Sequence, residues 1–392
     1  MTPEARIAAA ADLLDRILAG EPGEKALTAW ARRSRFAGSG DRAAVRDLVY
    51  EALRCRRSHA LLGGSESGRG LMLGGLIAAG IDPSTRFTGE GYAPEALRPE
   101  EATLARRDPQ DTLAAAPPAE ACDMPDWLWP ELTRALGDRT AAIARLMQSR
   151  APVFLRVNLR KGDVAAAQAR LAEDGVTTRP HPLAATALEV IEGPRRIARS
   201  AAYTDGLVEL QDAASQALTG ELPLSDGMRV LDFCAGGGGK TLAMAGRIKG
   251  QFTAHDANVA RLKDLPPRAA RAGVAVTLSA DPQGPFDLVL CDVPCSGSGA
   301  WRRAPEGKWA LRAETLAGLN RTQDEILDRA ALLVGAGGTL AYATCSMLPC
   351  ENRARIEAFF ARSPGWTCVA ERQWLPDEGG DGFYLAQLTR GE

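Results

Sequence analysis

Beyond Gly206 the sequence alternates apolar, strand-like segments with helix-like segments, and this alternation constrains the fold more than any other feature. The strand-like segments read RVLDFC, FTAHD, VAVTLS, FDLVLCD, GTLAYATC and FYLAQL. Such alternation predicts a doubly wound α/β domain around a mainly parallel, Rossmann-like sheet. Ligands of these sheets bind at the carboxyl ends of the strands, so the residues that follow each strand are the candidates for a functional site.

The first third of the chain has helical periodicity. In RIAAAADLLDRILAG the apolar residues recur at helical spacing, and DRAAVRDLVYEALR repeats the pattern with Asp41 placed to cap a helix. A small helical bundle is therefore predicted. From APVFLRVNLRK onward short strands and helices alternate instead. We place an all-α domain over residues 1–130, a small basic α/β segment over 131–205 and the doubly wound domain over 206–392.

Charge is uneven along the chain. The net charge is -2, from 47 basic and 49 acidic side chains, and gives no overall sign of nucleic-acid binding. Between Arg139 and Arg199, however, 11 lysines and arginines face 5 acidic residues, a net of +6. This stretch fits an RNA groove, although charge alone fits an ordinary solvated surface somewhat better.

The sequence argues against several other classes of protein. No window reaches the roughly 18 consecutive apolar residues of a membrane span, and the start MTPEARIAAAADLLDR has no signal-peptide centre. Eight cysteines, none spaced as C-x-x-C, and three histidines disfavour a disulfide scaffold and a structural zinc site. We therefore expect a cytoplasmic protein with free thiols, no metal site and no membrane contact.

The run VLDFCAGGGGKTLAMA has the order strand, glycine loop, helix. Gly236–Gly239 would let the backbone approach a ligand and present amides at a helix start. A phosphate loop, G-x-x-x-x-G-K-[ST], would need a glycine at Cys234, which disfavours it. S-adenosylmethionine is the other candidate, with Asp256 at the second strand end for the ribose and Asp281 at the third for adenine. A dinucleotide site uses a similar acid, and either aspartate alone fits a loop or cap.

Two cysteines and an aspartate follow strands at the predicted ligand edge. Asp292 ends the fourth strand, Cys295 follows in a run of small residues, and Cys345 ends GTLAYATC. Most cysteines are inert, as Cys291 within its strand is expected to be. Methylating a pyrimidine at carbon 5 would use all three groups: a thiolate adds to carbon 6, an acid near ring nitrogen 3 stabilises the charge, and a base then removes the carbon 5 proton. Spacing does not say which cysteine is the nucleophile.

Six motifs in order carry a family resemblance: FLRVN, QDAASQ, DFCAGGGGKT, DANVARL, DVPCSGSGAWRRAPEGKW and TCSMLPCENRARIEAF. With them, residues 150–392 resemble the Sun-family RNA cytosine-5 methyltransferases. The combination of DVPCSGSG with a downstream TCS and EN is the most specific part of the match. The helical start, with DRAAVRDLVYEALR, resembles the NusB-like RNA-binding domain of those bacterial members that act on 16S ribosomal RNA.

The resemblance implies a role for each candidate residue. Cys345 matches the nucleophile, Cys295 the cysteine that assists product release, and Asp292 the acid that touches both cofactor and cytosine. The usual Ala-Pro of the loop is Gly236-Gly237 here, so we expect donor binding weaker by up to about 1 kcal/mol with the catalytic groups intact. The implied donor-binding residues are Cys234, Ala235, Gly236, Gly237, Gly238, Gly239, Lys240, Asp256, Arg261, Asp281 and Asp292.

The same resemblance implies the reaction and its partners. The chain is expected to transfer methyl from S-adenosylmethionine to carbon 5 of a cytosine in RNA, through a covalent cysteine-cytosine adduct, as a monomer. Small-subunit 16S ribosomal RNA is the favoured substrate, by analogy of the helical start alone. Two alternatives stay open: a transfer-RNA cytosine-5 methyltransferase, and a non-catalytic RNA-binding factor of ribosome assembly.

Overall fold

The computed structural model describes residues 1–391, which form two compact units. Unit 1 comprises Met1–Arg150 and Trp301–Ala310, and unit 2 comprises residues 151–300 and 311–391. The first unit therefore extends beyond residue 130, where the sequence suggested a boundary. It also takes in a ten-residue segment that lies, in sequence, inside the doubly wound region.

The α-helices begin and end close to capping residues. Asp41, expected to cap a helix, is the third residue of α3. Its carboxyl group accepts a hydrogen bond from the amide of Gly38 (3.1 Å), the residue before the helix, so Asp41 caps the helix from within its first turn. The helices are α1 (Pro3–Leu18), α2 (Gly23–Arg33), α3 (Ser39–Arg54), α4 (Arg56–Gly63), α5 (Gly68–Ala78), α6 (Pro99–Leu104), α7 (Pro109–Ala114), α8 (Pro118–Ala121), α9 (Trp129–Leu136), α10 (Thr140–Leu146), α11 (Val164–Glu173), α12 (Ala201–Thr204), α13 (Ala213–Glu221), α14 (Gly239–Arg247), α15 (Leu265–Ala272), α16 (Pro305–Ala310), α17 (Ala313–Ala331) and α18 (Arg353–Arg362).

Unit 1 is a helical bundle, as the periodicity predicted. Its core lies between α1, α3 and α5 and contains the fully buried Leu13, Val49 and Leu71. The backbones of α4 and α5 are nearly in contact, because a Cβ on Gly63 or on Gly74 would lie 1.9 Å from a carbonyl oxygen of the facing helix. Small residues at these positions thus set how closely the two helices approach.

Unit 2 contains two sheets. A four-stranded antiparallel sheet has the order β2-β3-β1-β4, and a seven-stranded sheet has the order β10-β11-β9-β8-β5-β6-β7. The larger sheet is parallel from β9 to β7, while β11 and β10 run antiparallel. The strands are β1 (Val153–Val157), β2 (Thr177–Pro180), β3 (Ala187–Glu192), β4 (Val208–Leu210), β5 (Arg229–Asp232), β6 (Gln251–Ala254), β7 (Thr277–Leu278), β8 (Phe286–Asp292), β9 (Val334–Thr344), β10 (Trp366–Trp374) and β11 (Phe383–Arg390).

The larger sheet is covered on both faces, which confirms a Rossmann-like, mainly parallel arrangement. Along β8, Leu288 and Leu290 point to one core, and Val289 and Cys291 point to the other. Residues of α13 and α14 complete the first core, and residues of α17 and α18 complete the second. The carboxyl ends of β5, β6, β8 and β9 therefore meet at one edge of the sheet.

Candidate active site

The glycine loop between β5 and α14 has a conformation that depends on its glycines. Gly236 and Gly238 have positive φ angles of 51° and 80°, and a Cβ on Gly238 would lie 2.2 Å from the side chain of Leu265. Below the loop, Asp232 is buried and accepts from the hydroxyl of Thr241 (2.6 Å). Burial raises the pKa of Asp232 to about 7. Gly237 is exposed, so its backbone is accessible to a ligand.

Asp256, just beyond β6, fastens this loop. One carboxyl oxygen accepts from the amide of Gly236 (2.9 Å) and the other accepts from the amide of Asn258 (2.9 Å). The Arg261 guanidinium lies 3.2 Å from the same carboxyl group, which is itself buried. The structure thus brings together the loop, Asp256 and Arg261, three parts of the predicted donor site.

Asp281 lies farther out than the other predicted donor contacts. It is exposed, three residues beyond β7, and its carboxyl group accepts from Gln283 Nε2 (2.9 Å). Within residues 1–391 no hydrogen bond joins Asp281 to Asp256 or to the glycine loop. Its predicted contact with adenine stays a prediction.

Lys240, the last residue of the predicted donor loop, is paired with Asp292. Its Nζ lies 2.6 Å from Asp292 Oδ2 and 4.9 Å from the ring centroid of Phe383. Burial alone would lower the pKa of Lys240, but the charge of Asp292 and the hydrogen bond to it hold that pKa above its usual value. The sequence grouped Lys240 with the donor loop only. The pairing arises because β5 and β8 are neighbours in the sheet.

The two predicted cysteines meet at the ends of β8 and β9. The Sγ atoms of Cys295 and Cys345 lie 3.3 Å apart, and both side chains are partly accessible. The hydrogen bond with Cys345, together with burial, raises the pKa of Cys295 well above its usual value. Cys291, in contrast, is fully buried in the sheet, as expected of an inert cysteine.

One buried acid at this edge was not among the predicted site residues. Glu351, in the EN of TCSMLPCEN, is completely buried and accepts hydrogen bonds from both cysteine-bearing loops, at Ser296 and Ser346. The EN motif was the available signal, but the carboxyl group's partners are remote in sequence. Within residues 1–391 no group of three or more His, Cys, Asp or Glu side chains could hold a metal ion.

This fold and this site define a class. A mainly parallel sheet of this strand order, a glycine loop after β5 and acids at the next strand ends are the features of a Rossmann-like methyltransferase. The solved structure of PH0851 shares the fold over 100% of this chain and 99% of its own, with a TM-score of 0.76 at 22% identity. The solved NSun6 from Pyrococcus horikoshii with SFG covers 69% of this chain, with a TM-score of 0.62 at 16% identity and 99% of its own chain aligned.

Sequence comparisons give the family. Residues 220–389 match the family described as 16S rRNA methyltransferase RsmB/F, and residues 124–197 match its ferredoxin-like domain. The ribosomal RNA small subunit methyltransferase B of Vibrio cholerae is 36% identical over 297 residues, which cover 71% of this chain and 68% of that protein. Its Escherichia coli namesake is 33% identical over 304 residues, 73% of this chain and 71% of that protein.

The chain belongs to the RsmB/F family of ribosomal RNA methyltransferases, which lies within the Sun family that the motifs indicated. Family membership makes it an RNA methyltransferase whose methyl donor is S-adenosylmethionine. In the part of the chain that the structure describes, no helix has both the length and the apolarity needed to cross a membrane. The NusB-like character of the helical start stays a prediction.

Proposed function

We propose that this enzyme methylates carbon 5 of a cytosine in small-subunit ribosomal RNA through a covalent adduct with Cys345. The observation that carries the proposal is the pair of thiols 3.3 Å apart, at the ends of the strands that also present Asp292 and its partner Lys240. A nucleophile, a second thiol and a charged pair thus share one edge of the sheet.

The proposed reaction begins with Cys345. Its thiolate adds to carbon 6 of the base, and the electron pair of the C5–C6 double bond moves toward carbon 5, with charge spread onto nitrogen 3 and the carbonyl oxygen. Lys240 can donate a hydrogen bond to this developing charge, and Asp292 can do so once it has taken a proton, for which its partner Lys240 is a source. The glycine loop, Asp256 and Arg261 would hold S-adenosylmethionine, which would supply the electrophilic methyl group for carbon 5 and leave as S-adenosylhomocysteine.

Cys295 is suited to the second half of the reaction. Its pKa is raised chiefly by the hydrogen bond to Cys345, and that cause disappears once Cys345 is bonded to carbon 6. Cys295 can then release its proton to water and, as a thiolate, take the proton from carbon 5. The electrons of that C–H bond re-form the C5–C6 double bond, and Cys345 leaves as a thiolate. This order of the two roles is the one that the motif positions of Cys345 and Cys295 imply.

The residues around the glycine loop fit the donor. Gly237 exposes backbone beside Asp256, whose carboxyl group keeps the loop in place. Within residues 1–391, Asp232 Oδ1 is a buried oxygen without a hydrogen-bond partner, directly below the loop. We assign donor contacts to Cys234–Lys240 and to Asp256, Arg261, Asp281 and Asp292.

Unit 1 supports an RNA partner through one arginine-rich surface at α2 and α3. Arg32, Arg33, Arg35 and Arg42 are exposed, and among residues 1–391 none of them forms an ion pair. Phe36, between them in sequence, is 76% exposed. Unpaired guanidinium groups next to an exposed aromatic ring suit phosphates and an unstacked base. We therefore assign RNA binding to this face of the helical unit.

The test is methyl transfer from labelled S-adenosylmethionine to unmodified small-subunit ribosomal RNA, with the product nucleoside identified by mass. Wild type should form 5-methylcytidine, Cys345→Ala should form none, and Cys295→Ala should accumulate protein bound covalently to RNA. Formation of product on transfer RNA alone would mean that transfer RNA, and not ribosomal RNA, is the substrate. RNA binding without transfer to any RNA would overturn the enzymatic proposal in favour of an assembly factor.

A further inference from the structure

Glu351 lies between the two loops that carry the cysteines. It is completely buried at the end of the short turn Pro349–Glu351, which follows β9 and Cys345. One of its carboxyl oxygens accepts from the amide of Ser296 (2.8 Å) and from Gln323 Nε2 (3.1 Å). The other accepts from the hydroxyl groups of Ser296 and Ser346. Four hydrogen bonds thus converge on one buried side chain.

These partners are adjacent to the reacting thiols. Ser296 directly follows Cys295, and Ser346 directly follows Cys345. Gln323, on α17, donates through the same nitrogen to the carbonyl of Pro294 (3.0 Å), which directly precedes Cys295. The carboxyl group therefore restrains the backbone next to both sulfur atoms, from the side of the protein interior.

Other hydrogen bonds also link the two loops. The hydroxyl of Ser298 lies 3.0 Å from that of Ser346 and accepts from the amide of Met347 (2.8 Å). The amide of Gly299 donates to the carbonyl of Cys345 (3.0 Å). Without Glu351 the loops would still be linked, also by the hydroxyl groups of Ser296 and Ser346, which lie 3.4 Å apart, but the amide of Ser296, next to Cys295, would lose the carboxyl oxygen to which it donates.

We propose that Glu351 is a positioning residue that fixes the separation of Cys295 and Cys345. A buried carboxyl group is costly unless it is hydrogen-bonded, and all of its side-chain bonds go to groups that hold the two thiol loops. The positioning of the two thiols by Glu351 does not depend on the reaction that the enzyme performs. Its catalytic consequence rests on the proposed function, in which both thiols act in turn on the same base.

Glu351→Ala should separate the two thiols, and a reagent that needs both can detect this without RNA. Phenylarsine oxide bridges neighbouring thiols. Wild type should take up one equivalent across Cys295 and Cys345, located by mass spectrometry of the peptides, and Cys295→Ser should take up none there. Glu351→Ala should lose about tenfold in the rate of bridging. An unchanged rate in folded Glu351→Ala protein would overturn the proposal.

Two variants separate positioning from general stability. Glu351→Gln keeps an acceptor for the amide of Ser296, and its amino group faces hydroxyl groups that can rotate to accept, so bridging should return toward the wild-type rate. Glu371→Ala is the control for Glu351→Ala, because the carboxyl group of Glu371 also accepts from a hydroxyl, Tyr384 OH (2.6 Å), but belongs to β10 and not to a thiol loop. It should bridge at the wild-type rate, and a loss equal to that of Glu351→Ala would contradict positioning.

Kinetics measure the catalytic consequence. Glu351→Ala should lower kcat by about 10²-fold, the cost of misplacing a reacting group by about 1 Å, with the KM for S-adenosylmethionine unchanged. In the Cys295→Ala background, Glu351→Ala should also slow formation of the covalent adduct, since Cys345 would be displaced as well. Unchanged adduct formation would limit the role of Glu351 to Cys295. If arsenic bridging depends on Glu351 while no RNA is methylated, the positioning stands and the proposed function fails.

Discussion

Each unit contains a lysine, an aspartate and a cysteine within electrostatic reach of one another, and the two sets are built differently. In unit 2 Lys240 is in direct contact with Asp292, and Cys345 is partly accessible. In unit 1 Lys308 is influenced by the charge of Asp123 and lies near the thiol of Cys55, but it donates its hydrogen bond to the backbone carbonyl of Arg54 (3.1 Å). The same three residue types thus form an accessible set with a direct ion pair in unit 2 and a buried set without one in unit 1.

The groups in unit 1 are satisfied by structural partners. Asp123 accepts from the amides of Arg57 and Ser58 (2.7 and 2.9 Å) at the start of α4, and also from Gln148 Nε2 (2.7 Å). Burial raises the pKa of Cys55 to about 12 and lowers the pKa of Lys308 to about 8. A cluster of reactive residue types is therefore no evidence for a site by itself. Direct pairing of opposite charges and access for a ligand distinguish the two sets.

The largest expected difference is between the two cysteines. Cys345→Ala should reduce methyl transfer by at least about 10⁴-fold, because no other group would form the bond to carbon 6. Cys55→Ala should change it by no more than about threefold, since a small buried side chain is replaced by a slightly smaller one. Methyl transfer to ribosomal RNA at saturating donor measures both. Comparable losses would show that the accessible thiol is not the nucleophile.

The next largest difference is expected between the effects on kcat of replacing Lys240 and of replacing Lys308. Lys240→Met should lower kcat by about 10²-fold, since it removes a donor for the developing charge and leaves Asp292 without its partner. Lys308→Met retains the aliphatic contacts and should leave kcat within about threefold. Steady-state kinetics with both substrates saturating would make the comparison, with thermal unfolding to check that both variants are folded. A normal kcat for Lys240→Met would remove the lysine from the mechanism.

Replacing Asp123 and replacing Asp292 should have different effects on the free energy of unfolding. Asp123→Ala should lower the free energy of unfolding by about 2–4 kcal/mol, because two helix-start amides, a serine hydroxyl and Gln148 lose their acceptor in a buried setting. Asp292→Ala should cost less, since the side chain is partly exposed and its partner is a lysine at the open edge. Urea unfolding followed by circular dichroism gives both values. The reverse order would contradict the structural role of Asp123.

The smallest effect is a pH dependence at Lys308. Folding lowers the pKa of Lys308 to about 8. Between that pH and the pKa of the lysine in the unfolded chain, the unfolded chain binds more protons than the folded protein. The free energy of unfolding therefore increases as the pH rises through this range. Relative to Lys308→Met, wild type should gain about 1 kcal/mol from about pH 7 to about pH 9. Urea unfolding of the two proteins at both pH values measures it. No relative gain would mean that Lys308 is better solvated than its burial indicates.

Much of the fold could be predicted because the apolar segments alternate. The six strand-like segments after Gly206 are strands of the larger sheet, but β10 was not predicted. In that strand only the end residues Trp366 and Trp374 are buried, so WTCVAERQW has no apolar alternation. β2 and β4 were missed for a related reason: one is exposed and the other has three residues.

The site was predictable where it depends on strand ends and not where it depends on side-chain contacts. Cys295 and Cys345 meet because β8 and β9 are neighbours, which parallel connectivity makes probable from sequence. The bond from Ser296 to Glu351 spans 55 residues, and the pair Lys240 and Asp292 spans 52. No local pattern encodes such contacts. They follow from the order of strands in the sheet.

The segment Trp301–Ala310 makes this protein difficult to divide. It follows the cysteine loop within one continuous motif, yet it packs in unit 1, where Lys308 is buried and Trp309 Nε1 donates to the carbonyl of Leu53 (2.6 Å). A shortened chain beginning at Ala151 would retain this segment without its partners on α3 and would expose Lys308 to water. The helical unit therefore cannot be removed without consequence, because part of the motif that carries Cys295 folds as part of that unit.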